Sequence, residues 1–356
     1  MGLPNREQLN IGILGCGPIA QFAHLESVQK AKNARLFALC DVAEDLLNQM
    51  AGMYQPSHTC TDYEEMLSMI ELDAIIIATS DAFHISAAKL ALEAGKHVLV
   101  EKPLGTSLAE ALELEALLAS SRLVLQVAHM KRFDEGISYA RDFIQEEMGE
   151  ILALKAWYAD STYRYTATDT LQPLPVTSKL VRKPVTNPKA DKESYYMLAH
   201  GSHLLDTALF LAGPIESVQA RLVEKFGAYC WFIDTVFENG ANGHLDLTIA
   251  VRMDWHEGFQ IYGEHGSVLG KTFNPWYYKS SEVQCFSEKE GIYKSPLGAD
   301  GHFYRRQVEG FANTILKGSP QKGCSWKEGI HCMRGMEAIA RSVKTGKRIY
   351  LKDVQA

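Results

Sequence analysis

At roughly 150 residues per domain, a chain of 356 residues predicts two domains, each long enough to bury its own core. A composition 46% hydrophobic and 22% charged is that of an ordinary globular protein. With 36 basic against 43 acidic residues the net charge is -7, which argues against nucleic acid or an anionic membrane as a partner. Apolar runs such as Ala74–Ala78 fall far short of the roughly 20 residues that span a bilayer, and the polar stretch Met1–Asn10 has no signal-peptide core, so a cytoplasmic location is expected. The seven cysteines are odd in number and scattered, with no C-x-x-C pair, and predict neither a disulfide framework nor a structural zinc.

Over residues 1–130, short β-branched runs alternate with helical patterns, the signature of an α/β parallel sheet with crossover helices. Strands are expected at Asn10–Leu14, Arg35–Asp41, Ala74–Thr79, His97–Glu101 and Leu123–Ala128, and helices at Pro18–Lys30, Asp45–Met53, Tyr63–Met69, His84–Ala94 and Ser107–Ser120. Ser107 with Glu110 reads as a capping box, and Gly95 stands where a helix needs a left-handed terminal residue. From 131 to 356 longer alternating strands with tight turns predict an α+β domain on an open, mainly antiparallel sheet: Glu150–Ala159, Ser217–Lys225, Cys230–Phe237, His244–Met253, Gly258–Gly263 and Ser267–Lys271. Asn239-Gly240 is a hairpin signal. Two helices interrupt or close that sheet, one with Val308, Phe311, Ala312 and Ile315 on one face, the other opening at Ser325 and Glu328. The segment Ser161–Ser194 is proline-rich and without period, and reads either as a surface arm or as a lid over an active site.

Gly15-Cys16-Gly17-Pro18-Ile19-Ala20 follows a strand and opens a helix, the context of the G-x-G-x-x-G/A dinucleotide fingerprint. Gly15 permits the turn, Gly17 lets backbone N–H groups approach a pyrophosphate, and Ala20 lets the helix pack on the strand. Asp41 ends the second strand, where a carboxylate accepts hydrogen bonds from an adenosine ribose; it repels a 2′-phosphate, and no arginine follows, so NAD is favoured over NADP. Lys102, in Glu101-Lys102-Pro103, closes a strand at the sheet's carboxyl edge. Beside a cationic nicotinamide its pKa falls toward a useful range, and as a solvated loop lysine it has no such role. His203 and Asp206 are three apart on one helix and share a face; a histidine there is either a general base steadied by a carboxylate or a capping or core residue. A zinc site at His200 and His203 lacks further ligands.

Together these motifs resemble the glucose-fructose oxidoreductase and inositol dehydrogenase (Gfo/Idh/MocA) family, over nearly the full chain. The resemblance rests on Gly15–Ala20, on Glu101-Lys102-Pro103, on Gly201-Ser202-His203-Leu204-Leu205-Asp206, and on the closing helix and strand to Leu351. It implies an N-terminal doubly wound Rossmann domain, a C-terminal open antiparallel sheet, a tightly held nicotinamide cofactor and a homo-oligomer, dimer or tetramer, through that second sheet. By position, Lys102 orients the reacting hydroxyl and His203 acts as general acid/base; Thr79, Asp81 and His84 lie beside the cofactor, Glu101 near its nicotinamide, and Arg132 in the cofactor or substrate pocket. Inositol-type members carry an aspartate four residues before the catalytic histidine, where this chain has Ala199; His200 or Asp206 is then the candidate partner. The implied activity is NAD-dependent oxidation of a secondary hydroxyl of a sugar, glycoside or cyclitol. Tyr158, Tyr163, Arg164, Tyr195 and Tyr196 near the proline-rich segment suggest a glycoside, oxidised at a ring carbon such as C3. The alternatives are a glycoside hydrolase that oxidises its substrate transiently, and a dinucleotide-binding regulator without turnover.

Overall fold

The computed structural model describes residues 6–119, 121–162, 172–185 and 190–355. The chain forms two compact units. One comprises Met1–Met130, Leu174–Pro188 and Tyr304–Ile330; the other comprises Lys131–Pro173, Lys189–Phe303 and His331–Ala356. The strand–helix alternation stops at the first boundary, and the chain then re-enters the first unit twice.

The first unit is built on β1 (Leu9–Leu14), β2 (Ala34–Cys40), β3 (His58–Cys60), β4 (Ala74–Ile77), β5 (His97–Val100) and β6 (Leu125–Val127). They lie in the order β6-β5-β4-β1-β2-β3, all parallel, and the short strand Cys324–Ser325 pairs antiparallel with the outer edge of β6. β4 is buried at every residue, as befits a parallel strand covered on both faces. Around the sheet run α1 (Leu25–Lys30), α2 (Glu44–Tyr54), α3 (Tyr63–Leu67), α4 (His84–Glu93) and α5 (Leu108–Ala119). Where one helix was expected over Pro18–Lys30, a π-turn, Ala20–His24, precedes α1. Gly95 is left-handed (φ +74°), with Lys96 N–H returning to the Ala91 carbonyl, so the expected cap of α4 forms.

The stripe Val308, Phe311, Ala312, Ile315 is buried as predicted, but it packs with Leu9, Ile11, Ile13, Leu39 and Leu99 in the core of the first unit. This corrects the expectation that the helix, Phe303–Lys317, belongs with the second sheet. An apolar face says that a helix is covered and is silent about which sheet covers it.

In the second unit α6 (Glu135–Glu146) precedes β7 (Ile151–Ser161), β8 (Ile215–Lys225), β9 (Ala228–Phe237), β10 (Asn242–Val251), β11 (His256–Gly263), β12 (Gly266–Thr272), β13 (Glu282–Ser287) and β14 (Ile292–Lys294). The sheet runs β14-β13-β12-β11-β7-β10-β9-β8, extended by Ile349–Tyr350. It is antiparallel except between β7 and β10, which are parallel; the long connection between them, holding a helix and the β8–β9 hairpin, brings the chain round to run the same way. At Asn239-Gly240 the Asn239 side chain accepts from Ala241 N–H and Gly240 is left-handed, forming the expected turn. Helix Ser202–Ala212 contacts β7 and is buried at all of its residues. Among the described residues no helix is long and apolar enough to cross a membrane.

Candidate functional site

In the first sheet β1 lies between β4 and β2, so the chain departs in opposite directions on either side of it. The loops after β1 and β4 therefore flank a crevice at the carboxyl edge, where open parallel sheets bind ligands. Gly15 occupies that point with φ +97°, and a Cβ there would sit 2.9 Å from the Ala78 carbonyl oxygen, so no other residue fits. A Cβ on Gly17 would meet nothing within 4 Å. The space that this glycine keeps open suits a dinucleotide approaching the backbone. Pro18 is exposed and Ile19 is half-buried against the core, while the Cys16 side chain is fully buried, leaving only its backbone at the turn. Burial, then the Asp41 carboxylate, push the Cys16 thiol pKa far up, so it is inert. Asp41 accepts from Cys16 N–H at 2.7 Å with one oxygen and from Ala43 N–H at 2.8 Å with the other. It thus caps the next loop, yet stays half-buried with lone pairs left for ribose hydroxyls.

Lys102 stands half-buried in the loop after β5, followed by a cis bond to Pro103. Glu101 beside it is buried, holding His24 Nε2 at 2.8 Å and accepting from Lys102 N–H at 3.1 Å. Burial alone would raise the Glu101 pKa; the hydrogen bond and charge of His24, with Lys102 and His84, more than offset this and hold it below the usual carboxylate range. His84 is fully buried, with Nδ1 2.8 Å from the Pro103 carbonyl oxygen and Nε2 3.2 Å from that of Thr79. Thr79 and Asp81 remain half-buried on the loop after β4.

Part of the proline-rich segment belongs to this unit. The Gln21 side chain donates to the Val176 carbonyl and accepts from Val176 N–H, Ser178 bonds Asp45 at 2.7 Å, and Arg182 lies 5.0 Å from the Phe83 ring. Residues 174–185 thus touch the helical turns that follow β1, β2 and β4. Tyr163 and Arg164, assigned to substrate on sequence grounds, lie outside the described residues.

In the second unit, His200 sits in a π-turn, Met197–Gly201, that runs into helix Ser202–Ala212. A Cβ at Gly201 would come 2.4 Å from the Met197 sulfur, so a larger residue there would displace that flexible side chain. The turn gathers side chains. The Tyr158 ring stacks on His203 (6.2 Å between centroids, 3° between planes), and its hydroxyl lies 3.3 Å from His200 Nδ1. The same nitrogen is 3.3 Å from the Asp160 carboxylate, and Tyr196 is 6.0 Å from the His200 ring. Tyr158 is buried, so its ring acts on its neighbours and not as an open platform. Lys131 lies over that ring at 4.6 Å and is ion-paired with Glu257, whose pKa burial pushes up against the lowering effect of Lys131.

Asp206 and Arg132, assigned on sequence grounds to catalysis and to the cofactor or substrate pocket, face one another. Arg132 Nε lies 3.0 and 3.1 Å from the two carboxylate oxygens, and Nη2 is 2.7 Å from one of them. Tyr158, Tyr196, His200 and His203 are therefore brought together, whereas Asp206 is engaged by Arg132. Sequence reasoning missed His24, Lys131, Asp160 and Glu257. The available signal was charge at positions whose neighbours alternate as strand or helix core.

Residues 9–129 match the oxidoreductase family with an NAD-binding Rossmann fold (GFO_IDH_MocA), and residues 140–269 match the GFO/IDH/MocA C-terminal domain. The chain is 24% identical over 365 residues to the uncharacterized oxidoreductase YrbE of Bacillus subtilis, covering 98% of each chain. It is 25% identical over 353 residues to inositol 2-dehydrogenase 2 of Saccharopolyspora erythraea, covering 95% of this chain and 94% of that one. Among solved structures, levoglucosan dehydrogenase in complex with NADH shares the fold at TM-score 0.79 and 20% identity, over 98% of this chain and 100% of that one. With both of its domains matched, the chain is an NAD-binding oxidoreductase and belongs to the Gfo/Idh/MocA family.

Proposed function

We propose that this oxidoreductase acts reversibly on a secondary hydroxyl of a sugar, glycoside or cyclitol. NAD, when bound, supplies the acceptor for the carbon-bound hydrogen. The Gly15–Ile19 backbone holds the diphosphate and Asp41 the adenosine ribose. Lys102 polarises the hydroxyl oxygen as negative charge grows on it, and His203 takes the hydroxyl proton. The observation that carries this reading is the packing of His203 on Tyr158, whose hydroxyl meets His200, which in turn meets Asp160. Such a buried hydroxyl–imidazole–carboxylate group is suited to holding and moving a proton. The names inositol 2-dehydrogenase and levoglucosan dehydrogenase among the relatives favour a polyhydroxylated alcohol as substrate. Within that class we favour a glycoside oxidised at a ring carbon such as C3, on the strength of the half-buried pair Tyr195 and Tyr196. The segment 174–185 covers the bound cofactor and slows its release. The outward face of the second sheet, with Val223, Phe232 and Tyr262 exposed, pairs with another copy of the chain.

The test is incubation with NAD and a panel of cyclitols, sugars and alkyl glycosides, followed by NADH absorbance and product mass. A product two hydrogens lighter with NADH formed supports the reading. Aglycone released with no net NADH means transient oxidation and hydrolysis. In Lys102→Ala and His203→Ala, NADH binding persists while turnover falls by about 100-fold or more; wild-type rates in either remove that residue from the mechanism.

A further inference from the structure

We propose that His24 and His84 are positioning residues, which clamp the Glu101–Lys102–Pro103 loop from two sides and so fix the placement of Lys102; this rests on the role assigned to Lys102 above. Both imidazoles are fully buried and cannot touch substrate. Each reaches the loop from a different element.

His24 belongs to the π-turn Ala20–His24, directly after the glycine turn. A π-turn carries one residue more than an α-turn and rotates the side chains that follow. Here it delivers Nε2 to 2.8 Å from Glu101, and the other oxygen of that carboxylate receives the Lys102 N–H. His84, at the start of α4, bridges the Pro103 and Thr79 carbonyls. The residues before and after Lys102 are thereby each tied to a histidine, while its own side chain is left half-buried. A loop held on both flanks offers its ammonium in few positions, the preorganisation that a polarising group needs. His24 also rides on the helical run whose start faces the diphosphate site, so cofactor seating and lysine placement share one element.

Hydrogen–deuterium exchange of the full-length protein tests this without a known substrate. His24→Leu keeps bulk and removes the hydrogen bond, whereas His24→Gln keeps a donor. In the leucine variant, exchange in the peptide covering residues 98–106 rises by about tenfold or more, with β2 and the second unit unchanged, and the glutamine variant restores most of the protection. Should the leucine chain fail to fold, His84→Leu, which removes both ring nitrogens from the Pro103 and Thr79 carbonyls, shows the same local rise. Wild-type exchange at 98–106, a rise spread evenly over the unit, or no difference between glutamine and leucine overturns the clamp.

Turnover is read as NADH formed with myo-inositol and levoglucosan. His24→Leu lowers kcat by about 10- to 100-fold with KM for NAD little moved, and combined with Lys102→Ala it is no slower than Lys102→Ala alone. If Lys102→Ala turns over at the wild-type rate, the mechanism above fails while the exchange result stands. If Lys102→Ala is inactive and His24→Leu is wild-type in both assays, the clamp fails.

Discussion

Asp206→Asn separates a supporting role from a chemical one. Arg132 and Asp206 each have side chains 3% exposed, and the guanidinium meets both carboxylate oxygens at 3.1 Å or less. Arginine keeps its charge, so the substitution leaves a cation buried beside Phe210 and facing a neutral amide where it faced a carboxylate. Breaking such a pair costs about 3–5 kcal/mol, against about 1 kcal/mol at most for an exposed pair. At 1.4 kcal/mol per decade, that shifts the folding equilibrium by about two to three and a half decades. Replacing both, as Arg132→Met with Asp206→Leu, recovers most of the loss, because two apolar side chains need no desolvation offset. Urea denaturation followed by tryptophan fluorescence reports it well, since Trp157, Trp231, Trp255 and Trp276 all lie in the second unit. If Asp206→Asn unfolds at the wild-type urea concentration yet has lost NADH formation, the reasoning fails and Asp206 belongs to the chemistry.

Gly17→Val folds normally, since its side chain enters open space, but weakens NADH binding by about tenfold or more, measured by fluorescence titration; unchanged affinity removes the diphosphate from that turn. Gly15→Val fails on both counts, because its left-handed backbone and the Ala78 carbonyl exclude a side chain. Asp41→Ala raises the NADP-to-NAD preference by about tenfold, read as relative kcat/KM, because it removes a like charge from the 2′-phosphate. Burial lowers the His97 pKa to about 4, and its Nδ1 accepts from Val124 N–H. The unfolded chain takes up that proton near pH 6.5, so stability is complete above 6.5 and is lost as pH falls toward 4, by about 1.4 kcal/mol per pH unit and about 3 kcal/mol in all. Urea midpoints at pH 7 and pH 4.5 measure it, and His97→Gln flattens the difference; an equal slope in that variant refutes the assignment.

Much of the fold was legible because its determinants are local. The runs in β4 and β5, the left-handed Gly95 and the Asn239-Gly240 turn each follow from a few adjacent residues. Legibility ended where a segment's partner is distant in the chain. The stripe on Phe303–Lys317 predicted burial correctly, yet its covering sheet is made of strands about 200 to 300 residues upstream. β3 escaped notice for the opposite reason, since two of its three residues are exposed and leave no apolar run.

The site divides along the same line. Gly15 and Gly17 were readable because a dihedral angle and a missing Cβ are properties of the residue itself. The ion pairs were not, for they join positions 77, 74 and 126 residues apart. Spacing along an ideal helix put Asp206 on the face of His203 and nominated it as the acidic partner. That argument assumes a helix with a free face and an unclaimed carboxylate. Helix Ser202–Ala212 is buried all round, and a buried arginine needs a carboxylate more urgently than a histidine does, because it cannot become neutral. Arg132 therefore takes Asp206, and the carboxylate beside His200 comes from β7 instead, as Asp160. Helical periodicity decides which side chains are neighbours; the strength of the competing charges decides which of them are partners.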